Sequence, residues 1–385
     1  MLQGKPSIAF IKAADALDKK TWSGTPYHTL KALQQYVGNT EYLGEYHPRF
    51  KILSGKIKKG LHRILSGKNY DYMHSVEISE NYGKHYTQLL KKGKYDLIFA
   101  CGASSEIAFL ETDIPILYFS DSTFANMLDY NPNYTNLSKS SIRQGMEIEE
   151  RAISKSSALL YPSDWAMQSA IRDFGAHPKK IFVHPLGANF EGIIPRIEKI
   201  SEQAQQLELL FLAVEWEQKG GPIALECLKQ LREKGIRARL TICGCSIPDD
   251  ILKTEGIEYF PFLNKQVSAE RNMLERILSR SDIMIVPTRT ECFGIVFCEA
   301  GAYEMISIST DTGGVAGAIT NGETGFLLPY NAAGRDYAMI ISEIWENKAV
   351  FSLMKANARK KYENQLNWIS WAKFVKQLPL VENLI

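Results

Sequence analysis

The sequence predicts an α/β fold with two domains, each built on a parallel sheet. Short apolar runs, typical of buried strands, alternate with segments of helical periodicity along nearly the whole chain. Glycine turns follow some of these runs, as at Gly294 and at Gly313 and Gly314. At 385 residues the chain also exceeds what one hydrophobic core normally supports. These three observations together favour two compact α/β domains.

The strand-like runs divide evenly between the two halves of the chain. In the first half they cover residues 7–11, 95–102, 113–121, 157–163 and 181–188. In the second half they cover residues 207–215, 237–244, 257–263, 282–287 and 306–310. Helical periodicity is clearest at 221–235 and 269–281. Residues 188–206 lack a strand pattern and contain Pro195, so they are predicted to link the domains.

Composition excludes several classes of function. The chain is 45% hydrophobic and 23% charged, as ordinary globular proteins are. Its net charge of +2 gives no signature of nucleic-acid binding, and no apolar run is long enough to span a membrane. The first residues lack the pattern of a signal peptide, and the six scattered cysteines are expected to be reduced thiols. We therefore expect a cytoplasmic protein that binds no nucleic acid.

Residues 287–329 carry the clearest functional pattern. Two acids, Glu291 and Glu299, flank a glycine turn where a helix is predicted to begin, and a second glycine turn follows residues 306–310. Such turns lie at the carboxyl ends of parallel strands, where helix N-termini attract phosphates. Two carboxylates would repel a phosphate, so they fit better on the neutral hydroxyls of a sugar. The pattern therefore predicts a site for a phosphorylated sugar.

The same residues resemble a known family. The run E-C-F-G-I-V-F-C-E at 291–299 resembles the E-x7-E motif of retaining glycosyltransferases of family 4. T-G-G-V at 312–315 and G-x-T-G-F-L-L-P at 322–329 follow in the family's order and spacing. The resemblance implies the GT-B fold: two Rossmann-like domains facing across a cleft, with a C-terminal helix that crosses back to the first domain.

The resemblance also implies domain boundaries. Residues 1–190 would form the acceptor-side domain, with 366–385 packing back on it, and residues 200–365 would bind the nucleotide sugar. In the second domain, Glu299 would hold the ribose hydroxyls and Glu291 would approach the donor sugar near its reacting carbon. Lys219 would bind the donor diphosphate.

The family's second phosphate-binding cation is missing from its usual place. An arginine is expected a few residues before Lys219, where this chain has Glu215 and Gln218. Arg289, close to Glu291, could replace it from another loop; an exposed loop arginine is the alternative. The backbone amides at 293–295, of Phe293, Gly294 and Ile295, would form the helix N-terminus beneath the phosphates.

The first domain contributes two further candidates. Gly24 matches the family's glycine whose amide approaches the donor phosphate and the acceptor; a plain helix cap is the alternative. Ser23 or Thr25 is predicted to cap the helix that follows. Asp121 ends a strand where many family members have a histidine that contacts the sugar, and an aspartate can still accept hydroxyl protons.

The predicted function is transfer of a sugar, with retention, from a UDP- or GDP-linked donor to an acceptor hydroxyl in polysaccharide or glycolipid biosynthesis. The acceptor would be a glycan or a lipid-linked molecule, and neither a cofactor nor an obligatory metal is expected. Two alternatives remain: a nucleotide-sugar epimerase, and a binding or scaffolding subunit with a degenerate site.

Residues 51–68 form a second, separate feature. They include five lysines and one arginine but no acid, in a segment with helical periodicity. This pattern is more typical of a solvated helix; the alternative is an amphipathic helix that contacts anionic lipid or attracts an acidic acceptor. The second interpretation predicts a peripheral contact with the inner membrane face.

Overall fold

The computed structural model describes residues 5–195 and 206–384; residues 196–205 of the predicted linker lie outside the described residues. The chain divides into two compact units. Unit 1 comprises Met1–Pro185 and Trp368–Ile385, and unit 2 comprises Leu186–Asn367. Each unit is built around one sheet.

The sheet of unit 1 has six strands in the order β2-β1-β3-β4-β5-β6, and every neighbouring pair is parallel. The strands are β1 (Ser7–Ile11), β2 (Asn39–Tyr42), β3 (Leu97–Cys101), β4 (Ile116–Phe119), β5 (Ala158–Tyr161) and β6 (Ile181–Val183). The α-helices are α1 (Thr25–Ala32), α2 (Arg49–Ser66), α3 (Val76–Leu90), α4 (Ser104–Ile107), α5 (Phe124–Met127), α6 (Lys139–Lys155) and α7 (Asp164–Phe174). Shorter turns are the 3₁₀ segments Thr21–Gly24, Pro132–Tyr134 and Pro178–Lys180 and the π segment Leu33–Val37.

The central strands of this sheet are buried on both faces. Every residue of β3, β4 and β5 is buried, because helices cover the two sides of a parallel sheet. Tyr82 and Tyr86 of α3 fill the core on one side. Such strands are continuous apolar runs, and for that reason they could be recognised in the sequence.

The C-terminal segment belongs to unit 1, with helices α14 (Trp368–Lys376) and α15 (Pro379–Glu382). Trp371 is fully buried and packs edge-to-face on Phe99 of β3 and Phe119 of β4, with ring centroids 5.9 and 6.1 Å away. The C-terminal helix α14 therefore covers part of the sheet of unit 1, as predicted.

Unit 2 also contains a six-stranded parallel sheet, in the order β12-β11-β10-β7-β8-β9. Its strands are β7 (Leu207–Leu212), β8 (Ala238–Cys243), β9 (Ile257–Phe260), β10 (Ile283–Val286), β11 (Ile306–Thr310) and β12 (Gly325–Leu328). Its helices are α8 (Gly221–Glu233), α9 (Ser268–Arg280), α10 (Ile295–Ala302), α11 (Val315–Ala318), α12 (Gly334–Glu346) and α13 (Lys348–Asn364), with a 3₁₀ turn at Ile251–Lys253.

The predicted α/β class, with two parallel sheets, is confirmed, but two strands were not predicted. β2 is an edge strand whose residues are half-buried or exposed, so it has no apolar run. β12 is the short edge strand inside the G-F-L-L stretch. Within the described ranges no helix is both long enough and apolar enough to cross a membrane.

Candidate functional site

The order of the strands marks one edge of unit 2 as the candidate site. From β7 the chain first builds β8 and β9 on one side and then crosses to β10, β11 and β12 on the other. Open α/β sheets bind ligands at such a reversal, outside the carboxyl ends of the two central strands. Here those ends continue into residues 213–220 after β7 and residues 287–294 after β10.

Glycines allow these two loops to touch. Gly220 has a left-handed φ of 78°, and a Cβ at this position would collide with the Pro287 carbonyl. The Arg289 amide donates to the Gln218 carbonyl at 2.9 Å, which joins the loops a second time. Gly294 has a φ of 95° and is the N-cap of α10. Only glycine adopts such backbone angles without strain, so the close approach depends on these residues.

Lys219 and Glu291 meet where the two loops touch. The Lys219 Nζ lies 2.8 Å from the Glu291 Oε2, and it donates to the Thr290 carbonyl at 3.0 Å. Each side chain is only about one-fifth exposed. The Gly314 amide donates to the Glu291 carbonyl at 3.2 Å, which attaches the loop after β11. The loops after the neighbouring strands β7, β10 and β11 thus bring a cation, a carboxylate and backbone groups close together.

The N-terminus of α10 adjoins this ion pair. Phe293 is buried, Gly294 is the N-cap and Ile295 is the first helical residue. The first amides of an α-helix have no acceptor within the helix, and they carry the positive end of its dipole. This end of α10 is therefore suited to an anion.

Glu299 lies on α10 and is nearly fully buried, with 3% of its side chain exposed. Its Oε1 forms an ion pair with the Nζ of Lys265, in the loop between β9 and α9. The Lys265 Nζ also lies 5.2 Å from the centroid of the Phe190 ring. Lys265 was not among the residues predicted from the sequence. The sequence signal that could have found Lys265 was its position in a loop between a strand and a helix, at the same edge of the sheet as the predicted site.

Arg289 contacts a different part of unit 2. Its guanidinium stacks over the Tyr330 ring, 3.7 Å from the centroid, and donates to the Tyr330 carbonyl. Within the described chain these are the contacts of its guanidinium, although it lies only two residues from Glu291. The role of Arg289 as a second phosphate-binding cation stays a prediction.

Unit 1 has its own reversal of strand order, between β1 and β3. Lys12 follows β1 and donates from its Nζ to the carbonyl of Gly102, which follows β3, at 3.2 Å. The Nζ of Lys12 also lies 5.3 Å from the centroid of the Trp22 ring. Trp22 in turn stacks on Phe119 and donates from its Nε1 to the Asp121 Oδ2 at 2.9 Å. The predicted residue Asp121 therefore belongs to a cluster whose other members were not predicted.

The loop before α1 has an unusual backbone. Trp22, Ser23 and Gly24 have φ values of 45°, 54° and 87°. Left-handed angles are uncommon for residues other than glycine and persist only where their surroundings enforce them. Gly24 itself is the N-cap of α1, with no side-chain hydrogen bond. The prediction that Ser23 or Thr25 caps this helix is therefore wrong, because the left-handed N-cap position is taken by glycine.

A buried acid lies beneath the carboxyl edge of this sheet. Glu149 on α6 is 3% exposed and accepts a hydrogen bond from the Tyr118 hydroxyl at 3.1 Å. Burial raises the pKa of Glu149 to about 7 despite this hydrogen bond. We assign Glu149 to the packing of unit 1.

Among the residues that the structure describes, no three or more His, Cys, Asp or Glu side chains lie close enough together to hold a metal ion. All six cysteines are free thiols, and only Cys292 is partly exposed. That the activity needs no metal stays a prediction.

Comparison with known proteins agrees with this geometry. Residues 195–362 match the family model described as "Glycosyl transferases group 1". The D-inositol 3-phosphate glycosyltransferase of Corynebacterium aurimucosum is 24% identical over 243 residues, which are 58% of this chain and 56% of that protein. The putative colanic acid biosynthesis glycosyltransferase WcaL of Salmonella typhimurium is 24% identical over 183 residues, 46% of this chain and 45% of that protein. The chain thus spans about half the length of the curated relatives it matches.

Solved structures resemble the chain over nearly its whole length. Sucrose-phosphate synthase of Thermosynechococcus elongatus has a TM-score of 0.66 at 14% identity, covering 97% of this chain and 98% of that one. Anabaena Alr3699/HepE, solved with UDP and glucose, has a TM-score of 0.62 at 15% identity, with 97% and 98% covered. The chain therefore has the GT-B fold, and its residues 195–362 match a glycosyltransferase group 1 domain.

Proposed function

We propose that this chain is a retaining glycosyltransferase of family 4 that transfers a sugar from a nucleoside diphosphate to an acceptor hydroxyl. The observation that carries the proposal is the Lys219–Glu291 pair at the strand reversal of unit 2, beside the N-terminus of α10. This pair lies within residues 195–362, which match the glycosyltransferase group 1 model.

The elements of the site support separate roles. A donor diphosphate is suited to the N-terminus of α10 and the Lys219 ammonium, since both are positive. Glu291, next to that lysine, would accept a hydroxyl of the transferred sugar. Glu299, farther along α10 and nearly buried, would accept the two ribose hydroxyls of the nucleotide. Each carboxylate can accept several hydrogen bonds, so its lysine partner leaves room for a hydroxyl.

The proposed reaction needs no protein nucleophile. The bond between the anomeric carbon and the phosphate oxygen breaks, and the acceptor oxygen bonds to that carbon from the same face. The acceptor proton passes to the departing phosphate. Negative charge grows on the phosphate as the bond breaks, and preorganised positive groups then stabilise the transition state more than the ground state. Lys219 and the amides at the start of α10 would be these groups.

The class of donor rests on the relatives. Anabaena Alr3699/HepE was solved with UDP-glucose, which favours a UDP-linked donor here; a GDP-linked donor is the second candidate. The relative named for colanic acid biosynthesis favours a glycan or lipid-linked acceptor. We propose a role in polysaccharide or glycolipid biosynthesis in the cytoplasm, without an obligatory metal.

A donor screen tests the proposal. The purified chain is incubated with UDP- and GDP-linked sugars, and release of free nucleoside diphosphate is measured. Slow hydrolysis of one donor class is expected, and Lys219→Ala should abolish it. Lys229→Ala, which changes an exposed lysine on α8 of the same unit, is the matched control and should retain the activity.

Each alternative gives a different result in this screen. An epimerase would change the sugar while the nucleotide stays attached. A binding or scaffolding subunit would release no nucleoside diphosphate from any donor. Either outcome would overturn the proposal.

A further inference from the structure

Helix α2 presents an apolar face to solvent. Six of its large apolar side chains are between 50% and 88% exposed: Phe50, Leu53, Ile57, Leu61, Ile64 and Leu65. Except for the last pair they recur three or four positions apart. At about 100° per residue, they share one sector of the helix surface that spans about 120°. This is a continuous apolar stripe along the whole helix rather than a set of scattered residues.

Three residues of α2 outside the apolar stripe attach the helix to unit 1. Gly55 is buried, and a Cβ there would collide with Tyr72. The Nζ atoms of Lys51 and Lys58 donate to the two carboxylate oxygens of Glu77 on α3, at 2.6 and 2.9 Å. Gly55 lies about 140° around the helix from the middle of the apolar stripe, and Lys51 and Lys58 lie about 20–40° beyond its Leu65 edge. The apolar side chains therefore point away from the body of the unit.

Positive charge borders the stripe. Arg49, Lys56 and Arg63 are spaced seven residues apart, so they form a row that lies about 40–80° beyond the Leu53 edge of the apolar sector. The helix contains six Lys and Arg residues and no acid, whereas the whole chain has a net charge of only +2. Basic charge is thus concentrated on the helix that also exposes the apolar stripe.

We propose that α2 lies in the headgroup region of an anionic lipid bilayer, with its apolar stripe inserted and its basic edge against the lipid phosphates. Interfacial helices combine these two features. A second copy of this chain is a poorer occupant, since pairing two such faces would bring their cationic rows together. The inference does not depend on the proposed function, because α2 belongs to unit 1 and the Lys219–Glu291 pair belongs to unit 2.

Vesicle binding of the full chain tests the apolar half of the proposal. Co-sedimentation is measured with vesicles of phosphatidylcholine alone and with vesicles that contain equal parts of phosphatidylglycerol. Binding is expected only to the mixed vesicles. The double variant Leu53→Ser/Ile64→Ser should weaken that binding at least about tenfold, because both side chains would be withdrawn from the lipid. Leu353→Ser, on α13 of unit 2, changes a residue as exposed as Leu53 and should bind like the parent chain.

A second pair of variants tests the charge. Lys56→Glu/Arg63→Glu should abolish binding to the mixed vesicles. Lys229→Glu/Arg276→Glu makes the same change of charge on exposed helix positions of unit 2 and should bind normally. All the altered residues are exposed, so the melting temperatures should stay close to that of the parent chain. Nucleoside diphosphate binding in solution should also be unchanged, which separates this inference from the donor site.

Three results would overturn the proposal. One is equal binding to the two vesicle types. Another is equal loss of binding in the α2 variants and their controls. The third is a dimer in gel filtration that Leu53→Ser/Ile64→Ser dissolves, since a second copy would then cover the stripe.

Discussion

Replacing Lys219 with alanine should have two separable effects, because this lysine serves two anions. Its Nζ contacts the Glu291 carboxylate at 2.8 Å in a position that is only about one-fifth exposed. Under the proposed function it also contacts the donor diphosphate. Lys219→Ala therefore removes a cation from the diphosphate and leaves the Glu291 charge beside it without its counterion.

Coulomb's law gives the order of magnitude of the repulsion between the Glu291 carboxylate and a neighbouring phosphate, for an assumed separation. A carboxylate and a phosphate about 5 Å apart repel each other by about 3 kcal/mol at an effective dielectric constant of about 20. Loss of a charge-assisted hydrogen bond to the phosphate adds about 1.5–3 kcal/mol. Partial exposure of the site reduces both figures. We expect at least about a tenfold loss in nucleoside diphosphate affinity and a fall in kcat of about 100-fold or more, because charge on the phosphate grows in the transition state.

A double variant separates the two effects. Lys219→Ala/Glu291→Gln removes the carboxylate charge as well, so nucleoside diphosphate affinity should recover in part, while the share due to the lysine's bond to the phosphate stays lost. The kcat should stay low, since neither the cation nor the acid has been restored. Affinity is measured by isothermal titration calorimetry and kcat by donor hydrolysis, with Lys229→Ala as the control.

Two outcomes would refute this reasoning. If Lys219→Ala raises KM and leaves kcat unchanged, the lysine assists binding only, and another group stabilises the leaving phosphate. If the double variant binds no better than Lys219→Ala, the Glu291 charge does not act on the diphosphate.

Four further predictions follow from the same geometry. Glu299→Ala should weaken nucleoside diphosphate binding at least about tenfold in calorimetry, because charge-assisted bonds to the ribose hydroxyls are lost; unchanged affinity would remove the ribose role. EDTA should leave most of the donor hydrolysis intact, and a complete loss that magnesium or manganese restores would contradict metal independence. Arg289→Ala should lower kcat as Lys219→Ala does if Arg289 leaves Tyr330 for the phosphate, and should have almost no effect on kcat if its role is the stacking contact. Glu149→Gln should raise the melting temperature at pH 8 and leave it unchanged at pH 4. Burial raises the pKa of Glu149 from 4.5 to about 7, so the folded chain keeps a proton that the unfolded chain releases, and stability falls as the pH rises through this window, by at most about 3 kcal/mol; a parent melting temperature independent of pH would contradict this.

Most strands that the sequence predicted are covered by helices on both sides, and the half-buried edge strands Ile181–Val183 and Ile257–Phe260 were predicted as well because each contains an apolar run. Burial on two faces demands a continuous apolar run, as in Leu97–Cys101 and Ile283–Val286. The edge strand Asn39–Tyr42 escaped notice because half-exposed residues need no such run. Local composition therefore revealed apolar runs, and a strand such as Asn39–Tyr42 that lacks one was not predicted.

The residues of the site likewise divide into those that the sequence could locate and those that it could not. Loops at the carboxyl ends of strands could be located from the sequence, and the resemblance singled out Lys219, Glu291 and Glu299 within them. The contacts of Trp22 could not be found, because its left-handed backbone accompanies packing on Phe119 and a hydrogen bond to Asp121, 99 positions away. No local pattern encodes a contact at that separation. Lys265 was missed for the same reason, since its partner Glu299 lies on another element.

The lysine partners resolve a conflict that the sequence alone leaves open. Two carboxylates beside a phosphate-binding helix N-terminus should repel the phosphate. Yet Glu291 lies just before the start of α10, and Glu299 lies within that helix. Each of them forms an ion pair with a lysine from a different loop, Lys219 or Lys265. The pairs remove most of the net negative charge, while each carboxylate keeps lone pairs that can accept a hydroxyl proton. Under the proposed function, the acids could therefore accept sugar hydroxyls next to a diphosphate, and the loops that carry the lysines would matter to the site as much as the acids.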